Sequence, residues 1–429
     1  MQNPIRYRDG ALAIEQVPLA DIAASVGTPF YAYSATAMRE RLQALLTAFA
    51  GQPLRVFFAA KANSNLAVLR TLISAGAGIE VVSGGEIRRA LAAGVAGGSI
   101  VFAGVAKRDD EISLGLEVGI AQFNVESVPE LERIGAIAAA VGKRAPIALR
   151  INPDVAAATH DKIATGRKTD KFGIPYTAAA EIYARAVTMP GIDPAGLHMH
   201  IGSQITQLSS FEPAYVRGVT LYRELRAAGV PLRRIDFGGG FGVRYNDEVM
   251  VPPDELARLV RRVTEGLDAE IWLEPGRYLV AEAGVLVASV IYVKETEERR
   301  FAIVDAGMHT LMRPALYGAY HGIQPVRQPA AGAPLRPADV VGPICESSDV
   351  LARGRDLPEL ASGDLLAFLT AGAYGAVMAS NYNSFPGPAE VLVDGARWAV
   401  VKRRREPETQ FADEVVPDWL GPAQETSRP

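Results

Sequence analysis

The chain has 429 residues, more than one ordinary compact domain holds but enough for a large barrel with an appendage. Hydrophobic residues make up 49% and charged residues 21%, and the net charge of -4 argues against a nucleic-acid-binding protein. One cysteine, Cys345, excludes an intrachain disulfide or a cysteine-rich zinc site as the basis of the fold, and a lone thiol fits a reducing cytoplasm.

The first ten residues lack the apolar core of a signal peptide, so none is expected. Tyr7–Gly10 and Pro29–Tyr33 look strand-like and are expected to pair with the C-terminal part. From Leu54 to Arg277 short apolar runs alternate with helical periodicity. The strand candidates are Leu54–Lys61, Ile79–Ser83, Ile100–Gly104, Ala121–Val125, Pro146–Asn152, Gly196–Ile201, Arg234–Gly240 and Glu270–Arg277. Between them, segments such as Ser64–Ala75, Gly85–Ala93, Val128–Val141, Ala178–Val187, Phe211–Ala228 and Pro253–Leu267 read as helices. Alternation of this kind implies parallel βαβ units. Eight strands in about 220 residues suggest a closed (β/α)8 TIM barrel, with an open doubly wound sheet as the alternative.

After Arg277 the pattern changes. Ala281–Val293, Arg300–Asp305, Asp339–Val341, Asp364–Leu369 and Val391–Val401 look like strands without regular helices between them. The apolar run Leu279–Val293 is interrupted by Glu282 and is too short to span a bilayer, so no membrane is expected as a partner. Three parts are therefore expected: 1–35 as strands joining a β domain, 36–280 as the barrel, and 281–429 as a mainly β second domain with a loose polar tail. The run Lys402–Arg405 reads as a solvated edge, since Glu406 and Glu408 follow.

In such a barrel the active site lies at the C-terminal ends of the strands. Lys61 ends the first candidate strand, Ser83-Gly84-Gly85-Glu86 follows the second, and His198 and His200 follow the sixth. Gly238-Gly239-Gly240 follows the seventh, and Glu274-Pro275-Gly276-Arg277 ends the eighth. A lysine against an apolar strand is expected to have a lowered pKa and to act as a nucleophilic amine, although alone it reads better as a snorkelling side chain. The glycine loop and Gly276-Arg277 suit an anion at the loops after strands seven and eight. His-x-His could be a metal pair, but His160, His309 and His321 are not at strand ends, so no metal is expected. A stacking imidazole is the preferred role, with a buried structural histidine as the plain reading of His198. Glu274 beside a pyridine nitrogen would keep it protonated and make the ring an electron sink. These groups together describe a pyridoxal 5'-phosphate site.

The segments FFAAKANSN (Phe57–Asn65), EVVSGGEI (Glu80–Ile87), TGRKTDKFG (Thr165–Gly173), HMHIGSQ (His198–Gln204), DFGGGFG (Asp236–Gly242), EPGRYLVA (Glu274–Ala281), MRPALYGAYH (Met312–His321), CESSDVLA (Cys345–Ala352) and GAYGAVMASNYNSFPGPAEVLVDG (Gly372–Gly395) resemble the diaminopimelate decarboxylase family. These are fold-type III, alanine-racemase-like pyridoxal phosphate enzymes. The resemblance runs from about Tyr7 to Val401 and independently implies a barrel plus a β domain. It implies that Lys61 holds the cofactor covalently, His200 stacks on its ring and Glu274 pairs with the ring nitrogen. Ser203, Gly239, Gly240, Gly276, Arg277 and Tyr374 would surround the phosphate. Arg277, Arg313, Tyr317 and Tyr374 would line the substrate, with arginine meeting its distal carboxylate and Glu346 the distal amine. Cys345 would donate a proton across a homodimer interface. The implied reaction converts meso-2,6-diaminopimelate to L-lysine and CO2.

An arginine suits a distal carboxylate because its fork binds it at two points, whereas a substrate ending in an ammonium calls for a carboxylate. The sequence departs from the family at His309-Thr310, where Asn-Asp is common, at Asp170 and at Phe58. The first departure leaves room for a related decarboxylase of another amino acid with a distal carboxylate or a carrier-bound acyl group. A metal-dependent barrel hydrolase and a non-catalytic pyridoxal phosphate-binding protein are the rival classes.

Overall fold

A computed structural model describes residues 3–154 and 172–421. Thr165–Lys171, His160, Asp170 and the end of the tail, 422–429, lie outside the described residues.

The eight barrel strands are Leu54–Ala59, Gly78–Val81, Ile100–Phe102, Gln122–Val125, Ala145–Asn152, Ile192–His198, Arg234–Asp236 and Glu270–Leu273. Each pairs in parallel with the next. The eighth returns to the first with Ile271 opposite Leu54, so the sheet closes and the open-sheet alternative falls. Six of the eight strands are shorter than their candidate segments at the C-terminal end, because the residues there leave the ladder and become the mouth, while the fourth and fifth end at Val125 and Asn152 as expected. The opposite end is plugged by Trp272 against Phe57 and Val101. The Arg55 and Arg234 guanidinium groups lie over the Trp272 ring.

The helix Pro253–Val263 shows how the outer ring forms. Pro253 occupies the first turn, Asp254 and Glu255 follow it, and Arg261 and Arg262 stand in the last turn, each charge complementing the helix dipole. Leu256, Ala257, Leu259, Val260 and Val263 form its buried stripe. A helix over Asp109–Val118, capped by Gly119 in the left-handed region, fills the gap between the third and fourth strands.

The second part is built on one long strand, Gly284–Glu295. Its first half pairs antiparallel with Phe30–Ser34 on one side and Leu365–Phe368 on the other. Its second half pairs with Arg300–Val304, which continues to Arg336–Val341 and Val350–Leu357. Phe30–Ser34 also pairs in parallel with Ala389–Asp394. Val391–Val401 is therefore not one strand. It turns at Asp394–Gly395, with Gly395 at φ 66°, and returns as Arg397–Lys402. Ile5–Arg8 does not enter this sheet; it forms a small sheet with Ala11–Ile14 and Val17–Pro18. It touches the C-terminal part through Tyr7, whose hydroxyl donates to the Pro325 carbonyl at 2.7 Å. One short helix, Arg313–Tyr317, interrupts the strands. Among the described residues no helix is long and apolar enough to cross a membrane.

Candidate active site

Lys61 stands in a single tight turn, Ala60–Ala62, directly after the first barrel strand. Its Nζ lies 3.2 Å from both carboxylate oxygens of Glu80, at the end of the second strand. Glu80 is fully buried, whereas the Lys61 side chain is 41% exposed toward the mouth. Burial works against the Lys61 charge, but Glu80, then Tyr374 and Glu274, more than offset it, so its pKa is raised. The expected lowering is thus corrected: the strand beside the lysine carries a carboxylate that the apolar reading did not weigh. Burial, opposed by Lys61, leaves Glu80 raised to about 7.

Ser83-Gly84-Gly85-Glu86 is a helix start. Ser83 Oγ accepts from the Glu86 N–H, Glu86 accepts from the Val82 N–H at 2.8 Å, and the Gly84 N–H donates to Glu111 at 2.7 Å. The second strand contributes Glu80 to the mouth instead.

His198 and His200 do different things. His198 Nε2 lies 3.1 Å from Glu274 Oε2, and the Asn124 amide donates to Glu274 Oε1 at 2.9 Å. The Asn124 carbonyl oxygen in turn accepts from Gln122, which accepts from Arg234 at 2.7 Å near the closed end. Glu274 is thus the top of a polar chain that runs through the barrel. Burial would raise its pKa, but His198, its hydrogen bond and Lys61 outweigh this and hold it near 2. Glu274 is therefore a carboxylate. Asp236, within 4.8 Å of both groups, has its pKa pushed well up by burial and by Glu274.

His200 Nδ1 accepts the Gly239 N–H at 3.2 Å. Burial, Arg150 and Lys61 push its pKa well down, so the ring is neutral. The three glycines are required by close approach. A Cβ on Gly238 would lie 2.4 Å from the Met199 carbonyl, and one on Gly239 would lie 2.3 Å from that of Glu274. Gly240, at φ 97°, lies as close to the Gly202 carbonyl. This loop therefore sits directly against the loops after strands six and eight. A Cβ on Gly276 would lie 3.1 Å from the Ala59 and Ala62 methyl groups.

Arg277 is 7% exposed. It donates to Ser203 Oγ at 3.0 Å and to the Tyr245 hydroxyl at 2.6 Å, and its guanidinium lies 4.7 Å from the Tyr374 ring centre. Tyr374 has φ 55°, an uncommon conformation for a bulky residue, and its N–H donates to the Ala62 carbonyl beside Lys61. Arg313 lies 4.5 Å over the other partner of this group, the Tyr245 ring. Tyr317 is close enough to act on the charge of both arginines. Lys61, His200, Ser203, Gly239, Gly240, Glu274, Gly276, Arg277, Arg313, Tyr317 and Tyr374 are thus gathered at or beside one mouth.

Cys345 and Glu346 are elsewhere. Both are exposed, in the loop between Arg336–Val341 and Val350–Leu357. Glu346 accepts from Tyr382 and Ser348 at 2.9 Å, and among the described residues neither bonds to Lys61, Arg277 or Arg313. His309 and Thr310 are buried; the Thr310 hydroxyl donates to the Gly307 carbonyl and His309 packs on Phe385.

Glu80, Asn124, Asp236 and Tyr245 were not singled out from the sequence. Glu80 and Asp236 stand inside conspicuous segments, and Tyr245 follows the glycine loop by five residues, so position relative to strand ends was the available signal.

The donor set fits pyridoxal phosphate. A lysine amine, a buried carboxylate and a neutral imidazole share the mouth. Arg277, with a buried Nε that has no hydrogen-bond partner, adjoins two hydroxyl groups.

Residues 35–281 match the pyridoxal-binding domain of pyridoxal-dependent decarboxylases, and with the second, β part this defines a two-domain decarboxylase of that class. A diaminopimelate decarboxylase of Pseudomonas aeruginosa is 49% identical over 96% of this chain and 98% of its own. The diaminopimelate decarboxylase of Helicobacter pylori complexed with L-lysine superposes with a TM-score of 0.89 at 39% identity, covering 92% of this chain and 99% of that one. The enzyme of M. jannaschii in co-complex with L-lysine gives 0.92 at 35% identity, covering 97% and 99%. The chain belongs to the diaminopimelate decarboxylase family.

Proposed function

We propose that this chain decarboxylates meso-2,6-diaminopimelate to L-lysine and CO2 at the mouth of the barrel, with Lys61, Cys345 and two arginines in the principal roles. The observation that carries the substrate reading is the pair of guanidinium groups, Arg277 and Arg313, sharing the Tyr245 ring. Two cations at that end suit a distal carboxylate and disfavour a substrate whose distal end carries an ammonium alone.

Pyridoxal 5'-phosphate, when bound, supplies an electron sink for the electron pair left behind as CO2 departs. Lys61 would hold it through its amine, the one nucleophilic amine at the mouth placed to do so among the described residues. Glu80 is in place to receive the released Lys61 ammonium, 3.2 Å away. Glu274, ionised and steadied by His198 and Asn124, pairs with the ring nitrogen. His200, neutral, offers a flat face for stacking. Ser203, Gly239, Gly240, Gly276, Arg277 and Tyr374 take the phosphate end. Arg277, Arg313, Tyr317 and Tyr374 orient the substrate, with Glu346 at its distal amine. Cys345 would be the proton donor to the carbon that loses CO2.

Cys345 and Glu346 lie on an exposed loop, which supports a homodimer in which each copy completes the site of the other. In this reading 36–280 is the cofactor-binding barrel, and 1–35 with 281–429 form the β part that carries the donated residues. The solved relatives held with L-lysine support the direction of the reaction. A free thiol as proton donor suits a reducing, cytoplasmic setting.

The test is CO2 release across meso-diaminopimelate, its stereoisomers, lysine, ornithine and arginine. The meso isomer should be preferred. Preference for lysine or ornithine would overturn the distal-carboxylate assignment.

A further inference from the structure

We propose that His321 is a specificity-determining positioning residue: as a neutral hydrogen-bond acceptor it fixes Arg313 in the orientation that reads the distal carboxylate of the substrate. This rests on the reading of Arg313 as the carboxylate ligand.

The helix Arg313–Tyr317 ends at Gly318 in the left-handed region, and the chain folds back so that the Ala319 N–H donates to the Arg313 carbonyl. That reversal brings His321 beside Arg313. The His321 ring is 1% exposed and is held at both nitrogens. Nδ1 lies 2.8 Å from the Leu369 carbonyl oxygen, and Nε2 lies 2.8 Å from Arg313 Nη1. A carbonyl oxygen can only accept and a guanidinium can only donate. The partners therefore dictate the tautomer: Nδ1 carries the proton and Nε2 offers its lone pair. A doubly protonated ring would aim N–H at N–H inside the protein. Burial and the Arg313 charge accordingly hold the pKa of His321 down, near 3.

Neutrality is the functional point. Other buried arginines here pair with carboxylates: Arg150 with Glu126 and Arg41 with Glu282. Among the described residues no carboxylate pairs with Arg313 or Arg277. Arg313 is held by His321 and the Tyr245 ring, Arg277 by the Tyr245 and Ser203 hydroxyl groups. A carboxylate in place of His321 would fix Arg313 equally well but would neutralise it. An imidazole acceptor takes up one N–H and leaves the positive charge for a ligand. Tyr245, edge-on to His321 at 5.4 Å, keeps the two guanidinium groups apart.

Two substitutions separate the halves of this bond pair. In His321→Gln the side-chain oxygen can reach the place of Nε2 and accept from Arg313. In His321→Asn the amide reaches only the place of Nδ1, so the Leu369 contact survives and Arg313 loses its acceptor. His321→Asn should raise KM for meso-diaminopimelate about tenfold or more with kcat within about threefold, and raise the inhibition constant of L-lysine in parallel. His321→Gln should stay within about threefold of the wild type on both. Cofactor absorbance and melting temperature should change little. Equal behaviour of the two variants, or a fall in kcat with L-lysine inhibition unchanged, overturns the assignment. Nitrogen-15 NMR of the wild-type holoenzyme with labelled histidine tests the same point without substitution: a His321 ring protonated at Nε2 also overturns it. An Arg313→Lys enzyme with unchanged KM would remove the reading of Arg313 itself. A raised KM there beside an unaffected His321→Asn enzyme removes only the role given to His321.

Discussion

The barrel mouth and the Cys345–Ser348 loop differ in completeness. At the mouth, Lys61 meets Glu80, Glu274 meets His198 and Asn124, and Arg277 meets Tyr245 and Ser203, all within one chain. In the loop, Cys345 and Glu346 face outward, although their backbone is firmly set: Asp349 accepts from the Ile344 and Met308 N–H groups. An exposed loop anchored in this way presents groups to something outside the chain. The contrast teaches that the groups proposed to seat the cofactor find their partners within one chain, whereas Cys345 and Glu346 do not reach them there.

The largest effect should come from the mouth. Lys61→Ala should lower kcat by roughly 10^3-fold or more and abolish covalent retention of the cofactor, read from the visible spectrum after dialysis. Persistence of that absorbance would remove Lys61 from its assigned place. Next, Cys345→Ser should lower kcat by about 10^2-fold while the cofactor spectrum is unchanged. Mixing Lys61→Ala with Cys345→Ser chains under conditions that allow subunit exchange should then restore activity. No recovery despite exchange would place both groups in one chain's site.

A smaller effect concerns pH. His321 is held near 3 and His309 near 4, and burial pushes His200 down as well. Below about 6.5 the unfolded chain takes up protons at these rings while the folded chain does not, so stability falls as pH falls. For His321 alone the loss at pH 5 is about 2 kcal/mol, and His321→Gln should remove that share of the slope in melting temperature against pH. An unaltered slope would mean that the ring titrates normally. The smallest effect is Ser83→Ala, expected to cost about 1 kcal/mol of stability with kcat unchanged, because Ser83 caps a helix. A large loss of kcat would return Ser83 to the site.

The barrel was legible in the sequence because short apolar runs alternate with segments of helical periodicity between Leu54 and Arg277, although the helix Asp109–Val118 was not among them. The mouth was legible where strand ends carry unusual residues, as at Lys61, the glycine loop and Glu274. What escaped was pairwise. The pKa of Lys61 depends on Glu80, a neighbour in space that lies nineteen positions on. His321 seemed peripheral because it ends no strand, and only the fold-back at Gly318 sets it on Arg313. Asp236 read as part of a glycine-loop signature, whereas its raised pKa follows from burial beside Glu274. Local pattern reports which element a residue occupies; it does not report which charges converge.

The pairing of Phe30–Ser34 with Gly284–Val287 has a consequence for synthesis. A chain made from its N-terminus produces an entirely buried five-residue strand and then about 250 further residues before its antiparallel partner exists. Its parallel neighbour, Ala389–Asp394, emerges later still. During that interval the strand is an unpaired, apolar edge. A chain terminated after the barrel would keep that edge for good, so the β part covers an edge of the finished molecule as well as carrying the loop that faces outward.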